Sequence, residues 1–232
     1  MFHKIDAIPP QARYPGNYVT PERFDRLLAA VRNWGYESIT LDDWISWRAN
    51  LAELPPRPIV LTFDDGYRSN HTVAWPLLQR YGMGATIFVV TGLLAGTNRW
   101  DADEIQEPLL SADEIRTMHA AGIRFGSHTR THIGLPGVPA EQAVRELRGS
   151  REDLEHVVGQ PVTAFCYPYS KQVPSIRRLV QEAGYSVAVR GGGRVNGRGT
   201  DPFALRRIKV EDTTNLESLK RQLDRPSWIP WK

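Results

Sequence analysis

Residues 58–67 read PIVLTFDDGY, an apolar run rich in β-branched and aromatic residues that ends in two adjacent acids, Asp64 and Asp65. Such a run predicts a buried strand that presents both acids at its carboxyl end. In α/β folds, ligands bind at the carboxyl ends of the strands, which places these acids where chemistry would occur. An ordinary Asp-Asp-Gly turn explains the same residues equally well, so a second motif is needed to choose between the two interpretations.

A second polar motif, SHTRTH at residues 127–132, follows the short apolar run at residues 122–126. His128 and His132 are four residues apart just after a second predicted strand, so they can converge with a carboxylate on one metal ion. Imidazole nitrogen suits zinc and the later first-row metals. Two histidines and one carboxylate leave open positions for water and substrate, as a catalytic metal site requires.

Three motifs occur in a fixed order along the chain: TFDDG at residues 62–66, HTRTH at residues 128–132 and FCYPY at residues 165–169. In this order they resemble the first three motifs of the polysaccharide deacetylase family, also called the NodB-homology family or carbohydrate esterase family 4. The resemblance covers nearly the whole chain. It is strongest to the circularly permuted subgroup that includes the bacterial poly-N-acetylglucosamine deacetylases.

The resemblance implies a metal-dependent hydrolase that removes the N-acetyl group from an amino sugar in a glycan, a glycolipid or a sugar precursor. Two alternatives stay open at this point. Related folds also cleave amide bonds outside sugars, so a non-sugar amide is a second candidate substrate. A barrel that binds glycans but has weakened catalysis is the third possibility, because the chain departs from the family pattern at two positions described below.

The resemblance also assigns roles to the residues of the first two motifs. Asp65, His128 and His132 match the family's metal ligands, and Asp64 matches its general base. Zinc is the expected ion, with Co²⁺, Ni²⁺ or Fe²⁺ as alternatives. The division of roles is physically reasonable, because a carboxylate bound to a cation stays ionised while its neighbour is free to accept a proton from water.

The third motif contains the first departure from the family pattern. In the family, the residues that match Tyr167 and Pro168 wall the substrate site, and the backbone amide that matches Tyr169 donates to the oxyanion. Many relatives have an arginine at the position of Cys166. Without that arginine we expect Asp64 to lack an orienting charged partner. Cys166 itself is interpreted as a small buried hydrophobic residue.

The second departure concerns the general acid. Many relatives have a histidine in a late Leu-x-His motif, whereas this chain reads LRRI at residues 205–208. The FHKI sequence at residues 2–5 resembles the start of the permuted subgroup, in which an N-terminal histidine takes the place of the acid. His3 is therefore the candidate acid, with a mobile histidine of no consequence as the alternative. Arg206 or Arg207, at the end of a predicted strand, is expected to hold a carboxylate or the substrate.

Alternating apolar runs and helical patterns predict βα units, hence a parallel sheet in a single domain over residues 1–232. Their number, with the resemblance, predicts an α/β fold of the distorted (β/α)7 barrel type. Asp42 and Asp43 are expected to cap the second helix, and residues 111–114 form a capping-box pattern. A helix interrupted near its proline is predicted over residues 69–81.

Composition restricts the function class further. Hydrophobic residues make up 41% and charged residues 24% of the chain, which is typical of a soluble globular protein. The formal net charge of +3 permits peripheral contact with an anionic membrane surface, but the basic residues are scattered and no nucleic-acid motif accompanies them. The single cysteine excludes an internal disulfide. We found no export signal or membrane-spanning stretch, so the predicted location is cytoplasmic; the sequence does not indicate an oligomeric state.

Two further segments carry weaker signals. The glycine- and arginine-rich stretch at residues 191–199 predicts a mobile loop. Phosphate binding is the alternative there, although no strand-loop-helix pattern with a P-loop lysine supports it. Trp228 and Trp231 near the end of the sequence are expected to pack on the barrel, with the lining of a sugar groove as the alternative.

Overall fold

A parallel sheet of six strands forms the centre of the fold and curls into a half-barrel. The structure is a computed structural model that describes residues 1–225, so the predictions for Trp228 and Trp231 lie outside the described residues. In chain order, the strands are β1 (Lys4–Ile5), β2 (Tyr18–Val19), β3 (Glu37–Ser38), β4 (Pro58–Ile59), β5 (Thr62–Phe63), β6 (Thr86–Val89), β7 (Arg124–Ser127), β8 (Ala164–Cys166), β9 (Val187–Gly191) and β10 (Leu205–Arg207). The central sheet has the spatial order β10-β9-β8-β7-β6-β5, while β1 pairs with β2 and β3 pairs with β4.

Helices occupy the connections between the strands of the central sheet. They are α1 (Pro21–Asn33), α2 (Leu41–Arg48), α3 (Trp75–Tyr81), α4 (Ala112–Ala120), α5 (Ala140–Val158), α6 (Pro174–Glu182) and α7 (Leu216–Leu223). The predicted α/β class with parallel βα units is confirmed. Within residues 1–225, every helix falls short of the length and apolar character that would be needed to cross a membrane.

Both faces of the curled sheet are buried, which explains why its strands read as continuous apolar runs rather than alternating ones. On the outer face, the sheet packs against buried residues of the surrounding helices, such as Leu78, Ile115, Leu147 and Val180. On the inner face, Leu41 and Trp44 of α2 pack against Phe88 and Val189. Helix α2 therefore covers part of the inner face of the half-barrel.

The N-terminal residues bond to both edges of the half-barrel. The amide of Phe2 donates to the Thr62 carbonyl at 2.8 Å, and the Phe2 carbonyl accepts from the Asp64 amide at 2.9 Å. On the other side, the Val210 amide donates to the Met1 carbonyl at 3.1 Å. The predicted distorted barrel is confirmed, and the described sheet contains six regular strands. The short N-terminal segment lies between its two edges, where a seventh strand would be.

The stretch at residues 58–67 is two short strands instead of one long one. Its first half, β4, pairs with β3, and its second half, β5, pairs with β6. The chain changes partner at Val60 and Leu61, which interrupts the ladder in spite of the uniform apolar sequence. The carboxyl end of β5 still delivers Asp64 and Asp65 into the barrel, as the sequence predicts.

Helix starts follow the sequence signals with one correction. Ser111 and Glu114 form the predicted capping box at the start of α4. For α2, the N-cap is Thr40 and not the predicted aspartates. Asp43 is the third helical residue, and its carboxylate accepts a hydrogen bond from the Thr40 amide at 2.8 Å. The predicted interruption near Pro76 is a π-helical turn over Asn70–Ala74 that precedes α3.

Candidate active site

The site lies at the carboxyl ends of β5 and β7, where the DDG and HTRTH motifs leave the sheet. Asp64 and Asp65 are 4% and 5% exposed, and His128 and His132 are equally buried. Asp65 has a left-handed backbone with φ of 73°, and His132 has φ of 63°. This conformation is unfavourable for residues other than glycine, so the surrounding structure must hold these side chains in place.

Asp65, His128 and His132 converge on one point. The Oδ1 atom of Asp65 lies 3.3 Å from Nε2 of His128 and 3.2 Å from Nε2 of His132. Ligand atoms that are each about 2.1 Å from a tetrahedral metal lie roughly 3.4 Å apart, so these separations suit a small divalent cation. The sequence prediction that these three residues meet agrees with the structure, and the donor set fits the group that the resemblance implies.

Hydrogen bonding and charge prepare the three groups for a cation. The Nδ1 atom of His128 lies 2.7 Å from the Cys166 carbonyl, which orients the ring so that Nε2 faces Asp65. Burial acts to raise the pKa of Asp65, but hydrogen bonds with His128 and His132 hold that pKa well below its ordinary value. Asp65 is therefore anionic at the point where the cation would lie.

A second buried group, made of Asp64, His128 and Cys166, also has the composition of a metal site. Its carboxylate is already occupied, because both Nη atoms of Arg207 donate to the two oxygens of Asp64 at 2.6 and 2.7 Å. A guanidinium in this position excludes a cation. The group containing Asp65 is therefore the candidate metal site.

Arg207 sets the charge state of Asp64. Burial acts to raise the pKa of Asp64, but the charge and hydrogen bonds of Arg207 lower it to about 2. The expectation that Asp64 lacks a charged partner is wrong, because β10 supplies the partner that Cys166 does not. Of the two roles predicted for Arg207, the structure supports the holding of a carboxylate. Its guanidinium is 8% exposed and bonds Asp64, so the predicted contact with the substrate is not supported.

Cys166 is a small buried residue, as predicted, and its position explains how Arg207 reaches Asp64. Its side chain is fully buried, with Sγ 3.5 Å from Oδ2 of Asp64 and 3.2 Å from Nη2 of Arg207. Burial raises the pKa of the thiol, so it is neutral beside the ion pair. An arginine at position 166 would occupy the space that the guanidinium of Arg207 fills.

His3 lies beside the two aspartates. Its neighbour Phe2 forms a parallel bridge with Phe63, so His3 follows that bridge just as Asp64 does on β5. Burial lowers the pKa of His3, while the charges of Asp65 and Asp64 act in the opposite direction. The structure therefore brings the candidate acid to the site from the opposite end of the chain to Arg207.

Of the three predicted site residues in the third motif, one is exposed and two are buried. Tyr169 is 51% exposed at the rim, and its ring contacts His132 edge-on with a centroid distance of 4.7 Å. Tyr167 is 1% exposed and its hydroxyl donates to the Phe203 carbonyl, while Pro168 is also buried. The predicted substrate contacts of Tyr167 and Pro168 are therefore corrected: these two residues support the loop that carries Tyr169.

Sequence reasoning missed two residues that hold the histidine loop. Trp100 stacks on His132 with a centroid distance of 4.4 Å. The carboxylate of Glu146 on α5 accepts hydrogen bonds from the backbone amides of Arg130 and Thr131 at 2.8 and 3.0 Å. A signal for Glu146 exists in the sequence, because it is an acid on the otherwise apolar face of a helix; no comparable signal marks Trp100.

Arg206 is the remaining predicted site residue, and the structure places it away from the candidate metal ligands. It is next to Arg207 in β10, where alternation turns its side chain to the opposite face of the sheet. Arg206 pairs in register with Arg190 of β9 and lines a separate cavity. The predicted site residues therefore divide into one group around Asp65 and one outlying arginine.

Comparison with known proteins decides which family has this arrangement. The family model described as polysaccharide deacetylase matches residues 52–188, which contain all three motifs. The chain belongs to the polysaccharide deacetylase family. The matched region carries both aspartates and both histidines of the site, while His3 and Arg207 lie outside it on either side.

Three relatives illustrate how the family resemblance is distributed. The Bacillus subtilis strain 168 protein YxkH is 24% identical over 83% of this chain, which spans 65% of that relative. The poly-β-1,6-N-acetyl-D-glucosamine N-deacetylase of Staphylococcus aureus strain MRSA252 is 22% identical over 88% of this chain and 72% of its own length. The solved structure of the Streptococcus pyogenes deacetylase PplD, in complex with acetate, has the same fold, with a TM-score of 0.86, 23% identity and coverage of 97% and 96% of the two chains.

Proposed function

We propose that this member of the polysaccharide deacetylase family hydrolyses the amide bond of an N-acetylated amino sugar and releases acetate. The observation that carries the proposal is the pairing of two carboxylates with different tasks. Asp65 converges with two imidazoles on a cation-sized space, and its neighbour Asp64 is held ionised by Arg207. Metal-assisted amide hydrolysis uses a Lewis acid together with a separate proton acceptor.

Asp65, His128 and His132 are the residues that would hold the cation. When bound, a divalent cation supplies polarisation of the amide carbonyl and increased acidity of water. Asp64 accepts the proton of the attacking water. The two hydrogen bonds from Arg207 fix the orientation of the Asp64 carboxylate, so that its proton-accepting oxygen is presented in one direction.

Two further groups complete the proposed reaction. His3 donates a proton to the departing amine, which leaves as the free amino group of the sugar. The backbone amide of Tyr169 donates to the oxyanion, as in the family's third motif. Tyr169 and Ser170 both have left-handed backbones, with φ of 56° and 58°, so the chain turns sharply at this peptide.

The rim favours a sugar over a simple amide. Tyr14 and Tyr169 are 44% and 51% exposed, which is unusual for large aromatic side chains and suits stacking on sugar rings. The activity named for the Staphylococcus aureus relative concerns an N-acetylglucosamine polymer. We therefore propose an N-acetylhexosamine unit within a glycan or a glycolipid as the substrate class, and we place the metal-dependent chemistry on that unit.

Acetate release across a panel of substrates tests the proposal. Purified protein with defined metal content is assayed against N-acetylglucosamine oligomers, monomeric N-acetylglucosamine and simple acetamides. Hydrolysis of the oligomers that disappears on chelation and returns with Zn²⁺ or Co²⁺ is the expected result. Preferential hydrolysis of simple amides would replace the sugar with a non-sugar substrate, and glycan binding without acetate release would indicate a binding barrel.

A further inference from the structure

A cavity of about 640 Å³ lies beside the active site on the other face of the sheet, between the ends of β9 and β10, helix α6 and the loop at residues 192–204. Five arginines line it: Arg177, Arg190, Arg194, Arg198 and Arg206. The lining contains one acid, Asp201, which is 2.5 Å from Arg177. Within the described lining, positive charge therefore exceeds negative charge by four.

The strand register forces two of these cations together. Arg190 and Arg206 are paired across β9 and β10, so their side chains project from neighbouring positions on one face. The Nε atom of Arg190 is buried without a hydrogen-bond partner among the described residues. Burial lowers the pKa of Arg190, and the charges of Arg206 and Arg177 lower it further. Like charges directly opposite each other on a sheet are destabilising unless an anion lies between them.

The loop that covers the cavity is fixed to β10 by several hydrogen bonds. The side chain of Asn196 donates to the Arg206 carbonyl at 2.8 Å and accepts from the Arg206 amide at 3.0 Å. The Gly193 amide donates to the Arg207 carbonyl at 2.9 Å. These bonds join the loop that carries Arg194 and Arg198 to β10, next to Arg206; the predicted mobility of this loop stays a prediction.

We propose that this cavity binds a phosphate group. Guanidinium groups bond phosphate oxygens in pairs, and several converging guanidiniums match the multiple acceptor oxygens and the double charge of phosphate better than those of a single carboxylate. Recognition here uses arginine side chains, whereas a P-loop uses backbone amides, which is why the sequence lacks the P-loop pattern.

The phosphate group belongs to the glycan substrate, an assignment that rests on the proposed function. Gln172 lines the cavity and is three residues from Tyr169 at the rim of the active site. Ser170, between them, accepts the Gly191 amide at 2.8 Å and fixes this short segment to the end of β9. A glycan crossing the rim at Tyr169 can place a phosphorylated unit against Arg190 and Arg206.

Calorimetric titration with inorganic phosphate at constant ionic strength tests the site without relying on activity. The titrated proteins are the wild type, Arg190→Gln, Arg206→Gln and the control Arg145→Gln, whose side chain on α5 is 68% exposed. We expect phosphate to bind the wild type and the control equally and each cavity variant at least tenfold more weakly. Thermal unfolding without phosphate checks folding, and both cavity variants should melt no lower than the wild type because repulsion is relieved.

The proposed phosphate site would be overturned if all four proteins bound phosphate equally. It would also be overturned if the wild type bound phosphate no more tightly than chloride. A second experiment identifies the source by comparing KM for neutral and phosphorylated N-acetylglucosamine oligomers. A lower KM for the phosphorylated oligomer in the wild type, abolished in Arg190→Gln, supports a glycan phosphate. Equal KM values, or Arg190-dependent sedimentation with phosphatidylglycerol vesicles, would overturn that source. If no oligomer releases acetate while phosphate still binds, the proposed function fails and the phosphate site stands.

Discussion

At the scale of single residues, Asp64 and Asp65 are chemically identical neighbours that the fold gives different partners. Asp65 faces two imidazoles, and Asp64 faces a guanidinium. A side chain that faces Lewis bases can share a cation with them, whereas one that faces a fixed positive charge cannot. Replacing each aspartate should therefore affect different measurable properties.

Asp65→Asn and His128→Ala should lose bound metal and acetate release together, because each removes one of three ligands. Asp64→Asn should keep one metal ion per chain while kcat falls by about 10²–10⁴-fold, the range for loss of a general base. Metal analysis and acetate assays on the same samples measure both quantities. Full turnover in Asp64→Asn would remove it from the base role, and turnover without stoichiometric metal would contradict the cation site.

Arg207→Gln should move the acidic limb of the kcat profile to higher pH. The pKa of Asp64 is about 2 in the native protein and about 3.9 in an unfolded chain, so the ionised carboxylate stabilises the fold above pH 4 and this contribution is lost as the pH falls towards 2. Without the guanidinium, burial dominates and the pKa rises. Profiles recorded at saturating metal measure the shift, and an unshifted acidic limb would contradict the role of Arg207.

Stability data separate the electrostatic role of Arg207 from simple packing. Removing one partner of a buried ion pair costs about 3–5 kcal/mol, whereas replacing both partners with neutral groups is often nearly neutral. Arg207→Met should therefore unfold at lower denaturant concentration than the wild type, and the double variant Asp64→Asn with Arg207→Met should recover most of that loss. An equal loss in both variants would indicate that packing, not charge, explains the effect.

The division of roles at this scale was only partly predictable from the sequence. Adjacent acids and a histidine pair are local patterns, so they identified Asp64, Asp65, His128 and His132. The partner of Asp64 is 143 positions away along the chain, and no local pattern connects the two. The chain compensates for Cys166 with a residue from another strand, which requires knowing that β10 and β5 lie at the two edges of a curled sheet.

At the scale of elements, the loop after β7 holds both histidines and depends on helix α5. Glu146 is buried on α5 and accepts two backbone amides and the Thr131 hydroxyl from this loop. Thr129 and His132 have left-handed backbones, which these contacts help to hold. Helix α5 therefore acts on the metal site through the loop and not through a ligand of its own.

Glu146→Gln should weaken metal binding by about 10–100-fold, the range seen when groups that orient metal ligands are changed. Glutamine retains the size and one acceptor oxygen but loses the charge and the second acceptor. Competition with a chelator measures the affinity. Glu141→Gln on the same helix, 92% exposed, is the matched control and should bind metal normally; a similar loss in the control, or none in Glu146→Gln, would contradict the proposed support.

Helix and strand boundaries were predicted well where a few neighbouring residues determine them. They were predicted poorly where the pairing of strands determines them. The capping box at Ser111 and the interruption before Pro76 follow from a few neighbouring residues. The division of residues 58–67 into β4 and β5 depends on which strand lies beside each half, and Asp43 is a capping-box partner instead of the cap because Thr40 precedes the helix by one position. Uniform apolar sequence does not encode such changes of partner.

At the scale of the whole molecule, the N-terminal segment joins the two edges of the half-barrel. Phe2 is 2% exposed, stacks on Phe63 at 5.2 Å and meets the ring of Phe24 edge-on at 5.3 Å. The same segment carries His3 to the aspartates. Phe2, which packs in the core, and His3, the candidate proton donor, are therefore adjacent in the sequence. Their effects on stability and on turnover should be separable.

His3→Gln should lower kcat by about 10²–10⁴-fold and leave thermal unfolding unchanged. Phe2→Ala should instead destabilise the protein by about 3–5 kcal/mol, the range for truncating a buried aromatic side chain. Phe2→Leu, which keeps most of the apolar volume, is the control and should lose much less. Denaturant unfolding and acetate release measured on all three variants check the separation; an unchanged rate and pH profile in His3→Gln would exclude acid catalysis.

The bond between residues 1 and 208 spans 207 positions along the sequence, and such distant contacts form slowly because a long chain must close on itself. The candidate metal ligands and the proposed base Asp64 come from residues 64–132, whereas His3 and Arg207 come from the two flanks of the chain. We expect the cluster of Asp65, His128 and His132 to form before the barrel closes, because its contacts span fewer positions along the chain. During refolding, metal binding should therefore precede acetate release, which requires both flanks to be in place.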